Sequence, residues 1–405
     1  MLKRVSIKNF LSLEDVDLDL RARNVLVGPN MSGKSNLIEC FKFLRDCIQR
    51  SAKPGVTSFH RAIVERGGFP ELVWRGRTEK QVTIDVSAEL DHRPSNERAL
   101  YRYLFVFATN DFLSPEVALE RLTRLQGGKE EILLENSPSG IKVTGRENLG
   151  GAQNTLGLAL EMWGQSDPSL KAFVEFVAGW QVYRMLPALM RTGNSASRAE
   201  RLSEYAENLT AWLFELQSHP REFDAIKRVA RDALPGLEEI LFQWETSSNS
   251  FAQPQGQIAL LPEPAKISVG ASEKLLHRPV SLARMSDGEL AFLALISLIL
   301  APAELQPSLL LIEEPENYLH PRLMEILVDL LDQQAVRGSL PQIVATTHSL
   351  PFVDRLKIED LIVAGKKDGA TRFTRPANNR HLKKLLSSKE SSLGDLLYSG
   401  ALSDS

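Results

Sequence analysis

Val25-Leu26-Val27-Gly28-Pro29-Asn30-Met31-Ser32-Gly33-Lys34-Ser35 is an apolar strand that runs into a glycine-bounded loop ending in lysine and serine. Apolar residues at Leu37, Ile38, Phe41, Leu44 and Ile48 then recur at helical spacing. Strand, glycine loop and helix form the context in which G-x-x-x-x-G-K-[ST] becomes a phosphate site. Backbone N–H groups of such a loop wrap a phosphate, and the helix N-terminus adds partial positive charge. Lys34 would reach β- and γ-phosphates, and the Ser35 hydroxyl would bind Mg²⁺. The candidate nucleotide-binding residues are Gly28, Pro29, Asn30, Met31, Ser32, Gly33, Lys34, Ser35 and Asn36.

Working outward, the chain has 405 residues, 43% hydrophobic and 24% charged, with a net charge of −3. That charge gives no global field toward nucleic acid or anionic membrane. Cys40 and Cys47 lie seven apart on the helix after the loop. They are two turns apart, too far for a disulfide, and read as buried thiols of a reducing cytoplasm. Met1-Leu2-Lys3-Arg4-Val5 lacks the apolar core of a signal peptide. The most apolar run, Leu290 to Pro302, is too short to span a bilayer. A cytoplasmic protein with no membrane association is expected.

Alternation at 4–8 and 16–20 predicts two half-buried strands before the loop. Residues 51–80 read as loop. Strands are expected at Val82–Val86, Tyr103–Phe107, Ile132–Leu134 and Ile141–Val143, the last two flanking the turn at Ser137–Gly140. Helical patterns follow at 170–177, 202–216 and 223–230, the third closed by Pro235-Gly236. Strands return at 240–244, 258–261 and 267–269. The last third alternates helix 287–301, strand 309–312, helix 321–335, and strands 342–346 and 361–363, the order of a parallel sheet with crossover helices. A helical tail is expected from His381 to Leu402. The expected division is 1–154 as the N-terminal half of a nucleotide-binding head, 155–235 as a helical insertion, and 236–405 as the C-terminal half.

Three further stretches carry chemistry. Leu309-Leu310-Leu311-Ile312-Glu313-Glu314-Pro315-Glu316 is a buried strand delivering acids at its end. Glu313 would hold the Mg²⁺ shell, and Glu314 would polarise an attacking water as general base. The strand at 342–346 runs into Thr347-His348-Ser349, where His348 could reach a γ-phosphate. Met285-Ser286-Asp287-Gly288-Glu289 opens the apolar helix. Ser286 and Gly288 at a helix N-terminus would make a second anion site, while Ser286 with Glu289 also makes a plain capping box.

Together, Gly28–Ser35, Met285–Glu289, Leu309–Glu316 and Thr346–Ser349 resemble an ABC-type ATPase of the RecF and SMC kind. Ile7–Ser12 looks like the first strand of that family. Glu65–Phe69, Trp74–Gly76, Glu313–Glu316 with Leu319–Pro321, and Ser392–Leu396 resemble stand-alone bacterial AAA-family ATPases related to the ATPase part of overcoming-lysogenization-defect proteins. The resemblance covers nearly the whole chain and is weakest in the helical block. It implies an α/β P-loop fold of ABC type, with a mixed central sheet, an N-terminal antiparallel part and a helical insertion. It also implies a homodimer, or a higher oligomer built from it, with ATP and Mg²⁺ sandwiched at the interface. Ser286 and Gly288 would then meet the partner's nucleotide, and Asn317 to His320 would match the D-loop. Asp287 stands where transporters usually have glycine, and an acid there would oppose a phosphate. No clear Q-loop glutamine is present; the 60–76 segment stands in that place.

The helical block is too short and irregular for a long coiled coil. No nuclease activity is expected of this chain. The expected function is ATP hydrolysis in DNA repair or anti-phage defence, with DNA or a separate nuclease or other effector as partner. Arg184, Arg191, Arg198 and Arg201 are the candidate basic face, with Glu200, Glu204 and Glu207 interleaved. The alternative is an ATP-gated switch that recruits or restrains an effector without touching DNA. A transporter subunit fits the helical block poorly.

Overall fold

The computed structural model describes residues 1–49, 56–76, 81–92, 97–110, 114–145, 155–191, 194–195, 199–245, 266–273, 279–379, 382, 386 and 392–399. The chain divides into two compact units. One comprises Met1–Val182, Pro307–Ile312 and Gln342–Ser405, the other Tyr183–Gln306 and Glu313–Pro341. The stretch 155–235 is thus shared, its first part in one unit and its remainder in the other.

The first unit holds a seven-stranded sheet in the order Leu13–Asp19, Leu2–Phe10, Gln81–His92, Glu97–Thr109, Pro115–Gln126, Lys129–Ser137 and Gly140–Val143. Its neighbours pair antiparallel throughout. The strand Pro115–Gln126 was not visible in the sequence pattern. Its pairing shifts register between Val106 and Phe107 on one side and between Leu122 and Thr123 on the other. The first shift skips Ala118 and so inverts this strand's own alternation, while the second skips Leu133 of the neighbouring strand.

A second sheet runs Ala370–Thr374, Leu361–Lys367, Arg23–Val27, Gln342–Thr347, Leu309–Glu313 and Trp180–Tyr183. Arg23–Val27 pairs parallel with both of its neighbours, and the edge strand Ala370–Thr374 pairs antiparallel. All five residues of Arg23–Val27 are buried, as a central parallel strand requires. Gln342 fixes where its strand starts. Its side-chain oxygen accepts from Leu2 N at 2.7 Å, and its amide nitrogen donates to Leu2 O at 2.7 Å and Arg21 O at 2.9 Å.

The helix Lys34–Ile48 buries Leu37, Ile38, Cys40, Phe41, Phe43, Leu44, Cys47 and Ile48 in this unit's core. Phe43 meets Phe10 at 5.5 Å and Phe107 at 5.3 Å between ring centroids. Burying each such ring contributes about 1.5–3 kcal/mol. Cys40 and Cys47 are free, buried thiols, as expected. Residues 58–72, read as loop, instead form helices Ser58–Val64 and Phe69–Leu72. Thr57 caps the first, its side chain accepting from His60 N.

The second unit has a small sheet ordered Asn194–Ser195, Lys266–Glu273, Leu237–Glu245, with Val280–Ser281 also pairing Lys266–Glu273. Its helices include Leu209–Leu216, Pro220–Ala233, Asp287–Ile299 and Pro321–Val336. Every residue from Leu290 to Ile299 is buried, so the apolar helix is central. Its Ser297 hydroxyl accepts from Trp212 Nε1 at 3.0 Å. The helix expected at 202–216 begins only at Leu209. Ala206 takes a left-handed φ of 57°, and Asn208 bonds Ser203 N at 2.9 Å, so side chains replace a helical turn. The strand expected at 258–261 lies outside the described residues. So does most of the expected tail, of which Leu393–Tyr398 is helical. Among the described residues, no helix is long and apolar enough to cross a membrane.

Candidate nucleotide site

The loop leaves the strand at Gly28 (φ 149°) and enters the helix at Gly33 (φ 97°). Neither position tolerates a side chain. A Cβ on Gly28 would lie 2.2 Å from Ala364 O, and one on Gly33 1.9 Å from Thr371 Oγ1 and 2.8 Å from Ser12 Oγ. The two glycines therefore answer to the neighbouring strands as well as to backbone conformation. Met31, with φ 65°, stands exposed at the tip with Pro29 and Asn30.

The loop is braced from beneath. Buried Thr371 donates from Oγ1 to Ser32 O at 3.0 Å and lies 2.6 Å from Ser12 Oγ. Ser12 Oγ also accepts from Asn36 Nδ2 at 2.6 Å, and Ser12 O accepts from Thr371 N at 2.8 Å. Asn36, expected to bind nucleotide, thus turns its side chain to this brace. Ser12 and Thr371 were missed as site residues. Ser12 ends the stretch Ile7–Ser12, but Thr371 sits on a short edge strand with no clear pattern.

Lys34 is 4% exposed, and its Nζ donates to Gly28 O and Pro29 O, both at 2.9 Å, and to Ser32 Oγ at 3.3 Å. Its Nζ thus lies against oxygens of the loop itself, at the place a phosphate would enter. The helix it opens has no side-chain cap and no acid in its first turn. Open N–H groups, a helix dipole and a lysine suit a phosphate chain. Ser35 is exposed, leaving its hydroxyl accessible for a metal.

The parallel register aligns Thr346 with Leu26 and Thr347 with Val27. His348, exposed, follows the last rung, so it leaves its strand beside the start of the phosphate loop. Thr347 Oγ1 accepts from Ser349 N at 3.0 Å, and Ser349 caps the short helix Leu350–Val353. Within 60–76, Arg66 docks on the loop helix through Glu39 at 2.5 Å and Asp46 at 2.8 Å.

The chain crosses into the second unit between Ile312 and Glu313. Glu313 ends its strand half-buried, and Glu314 takes a left-handed φ of 48°. Tyr318, four residues on, shares this left-handed conformation with φ 71°, so the turn is bent at both ends. Asn317 Nδ2 donates to Glu314 Oε2 at 2.7 Å, and Asn317 N to Glu314 O at 3.0 Å. Gly288 packs against the same turn: a Cβ there would lie 2.7 Å from Tyr318 O. Gly288 and the turn at Asn317–His320 thus approach each other through their backbones.

Ser286 forms the capping box, accepting from Glu289 N at 3.3 Å while Ser286 N donates to Glu289 Oε2 at 2.7 Å. This N-terminus carries two acids in its first turn, Asp287 and Glu289, where the phosphate-loop helix carries none. Asp287 pairs with Arg191 at 2.6 Å, and Arg191 also donates to Met285 O at 2.6 Å. Arg191 is therefore tied to the Met285–Asp287 turn rather than standing on a free basic face. Arg184 and Arg201 are exposed, and Arg198 lies outside the described residues.

The parallel strands, the loop they feed and the appended antiparallel sheet define a RecF/SMC-like ABC-type ATPase fold. More particularly, a family model described as "AAA domain, putative AbiEii toxin, Type IV TA system" matches residues 23–354, and the chain belongs to that family. No curated protein matches the sequence significantly. Among solved structures, an SmcHead bound to the C-winged helix domain of ScpA is similar with TM-score 0.51 and 14% identity, over 92% of this chain and 97% of that one. An Smc head domain with an extended coiled coil, bound to the C-terminal domain of ScpA derived from Pyrococcus furiosus, gives 0.49 and 13%, over 96% and 99%. The SMC head domain from Thermotoga maritima gives 0.44 and 13%, over 92% and 98%.

Proposed function

We propose that this chain binds ATP at Gly28–Ser35, hydrolyses it, and closes into a homodimer when ATP is bound. Lys34 contacts the β- and γ-phosphates, Glu314 polarises the attacking water, and His348 meets the γ-phosphate. Ser35 and Glu313 would hold Mg²⁺, which supplies charge neutralisation along the phosphates. Ser286 and Gly288 serve the nucleotide of the second copy. The observation that carries this reading is the rung pairing Thr347 with Val27, which starts His348 beside the loop. A generic phosphate loop has no need of a histidine there. Sedimentation of the Glu314→Gln protein tests it: ATP should shift monomer to dimer, and a monomer at saturating ATP would contradict the dimer.

The cellular role we propose is DNA repair or anti-phage defence in the cytoplasm, with DNA or a DNA-processing partner. One observation favours a second reading, a switch that acts on a protein effector without DNA. Arginines along the seven-stranded sheet are paired with acids: Arg4 with Asp17, Arg102 with Asp85, Arg121 with Glu135 and Arg124 with Glu131. Such pairs leave little net positive charge to track a phosphate backbone. The similar SmcHead was solved with a protein partner, which fits an effector at an ATPase head. Salt-dependent DNA binding supports the first reading; protein capture by Glu314→Gln with ATP, without DNA binding, supports the second.

A further inference from the structure

The two helix N-termini assigned to phosphate differ in kind. At Lys34 the turn is open and free of acid. At Ser286 it is closed by its own capping box and carries Asp287 and Glu289. Glu289 is turned inward onto Ser286 N at 2.7 Å. Asp287 points outward, its side chain 51% exposed, at the end where an anion would approach. Two carboxylates at one helix start oppose a third anion, because like charges a few ångströms apart repel even where solvent screens them.

Arg191 is the compensating charge. It follows the short helix Pro187–Met190 and reaches far along the chain to the signature turn. Its Nη1 lies 2.6 Å from Asp287 Oδ1, and its Nη2 donates to Met285 O at 2.6 Å. The guanidinium therefore grips the residues on both sides of Ser286. Met285 is buried, so the grip on its carbonyl anchors the turn to the unit's core. A planar fork can hold a carbonyl and a carboxylate together in this way, and a lysine ammonium holds them less rigidly.

We propose that Arg191 is the positioning residue of the signature turn. By cancelling Asp287 and fixing Met285, it allows Ser286 and Gly288 to receive the γ-phosphate of a nucleotide held by a second copy. This rests on the dimer reading above, and it gives the acid in the signature a defined counter-charge.

The test uses the Glu314→Gln chain as parent, with ATP-driven dimerisation followed by sedimentation. Arg191→Ala should raise the ATP concentration needed for assembly about tenfold or more. Arg191→Lys should fall between. Adding Asp287→Asn to Arg191→Ala should recover most of the loss, since the repelling charge is then gone. Binding of a fluorescent ATP analogue to the monomer should be unchanged in all of them, because on this reading the turn at Ser286 serves the second copy's nucleotide and not its own chain's. Recovery by the second substitution is what a merely structural role for Arg191 would not give. Arg191→Ala assembling at the parent's ATP concentration, or a double variant no better than the single, overturns the inference alone. A parent that stays monomeric overturns the dimer reading and the inference together.

Discussion

Thr371 Oγ1 lies 1.9 Å from the point where a side chain on Gly33 would place its Cβ. A strand more than 330 residues along the chain thus dictates a glycine of the phosphate loop. Gly33→Ala must push Thr371 away from Ser32 O, as well as strain a φ of 97°. It should destabilise the chain by about 2–4 kcal/mol and abolish nucleotide binding. Thr371→Val keeps the shape but leaves Ser32 O without that donor. It should cost about 1–2 kcal/mol in thermal denaturation and weaken ATP binding by roughly tenfold. Unchanged binding in Thr371→Val would show that the brace does not shape the loop.

Glu120 makes stability depend on pH. It is fully buried, accepting from Ala159 N at 2.6 Å, Leu160 N at 3.1 Å and Tyr103 Oη at 2.9 Å. Burial pushes its carboxyl up from 4.5 to about 7, against these hydrogen bonds, which lower it. The folded chain therefore keeps a proton between pH 4.5 and 7 that the unfolded chain has lost. Its contribution is full below pH 4.5 and falls as pH rises toward 7. Denaturant midpoints for Glu120→Gln should show a flatter slope than wild type across that window. An identical slope would remove Glu120 as the source.

Gln342 sets the register that delivers His348. Gln342→Leu would remove the side-chain partner of Leu2 N and Leu2 O, while Arg21 O would keep its bond from Asn24 Nδ2 at 2.7 Å. The expected loss is about 2–4 kcal/mol, read from urea unfolding, with a fall in turnover beyond the fall in folded fraction. Wild-type stability would mean that the strand is held without it.

Cys40 and Cys47 should be inert in the native chain, because burial pushes both thiols well above their ordinary range. Mass spectrometry after maleimide treatment at pH 8 should find neither modified, and both modified after denaturation. Rapid native labelling would contradict the packing of the loop helix.

Much of this was legible in the sequence because its signals are local. The loop, the acid-tipped strand at 309–313 and the apolar helix at 287–299 each carry their own pattern. What the sequence hid are relations between distant residues. Thr371 and Ser12 are ordinary hydroxyls until a sheet edge brings them beneath Ser32. Arg191 reads as one arginine in a mixed run until folding sets it on Asp287. The strand at 115–126 is hidden by its bulge at Ala118, and the helix at 202–216 is shortened by the Ser203 and Asn208 side chains.

One phosphate loop and one glutamate should divide binding from hydrolysis, and that division can be measured. It is tested most directly by measuring ATP turnover and ATP-analogue binding side by side in wild type, Lys34→Ala and Glu314→Gln. Wild type should hydrolyse ATP and Lys34→Ala should lose both binding and turnover. Glu314→Gln should bind normally while turnover falls by on the order of 100-fold. Wild-type turnover in either variant would contradict the account.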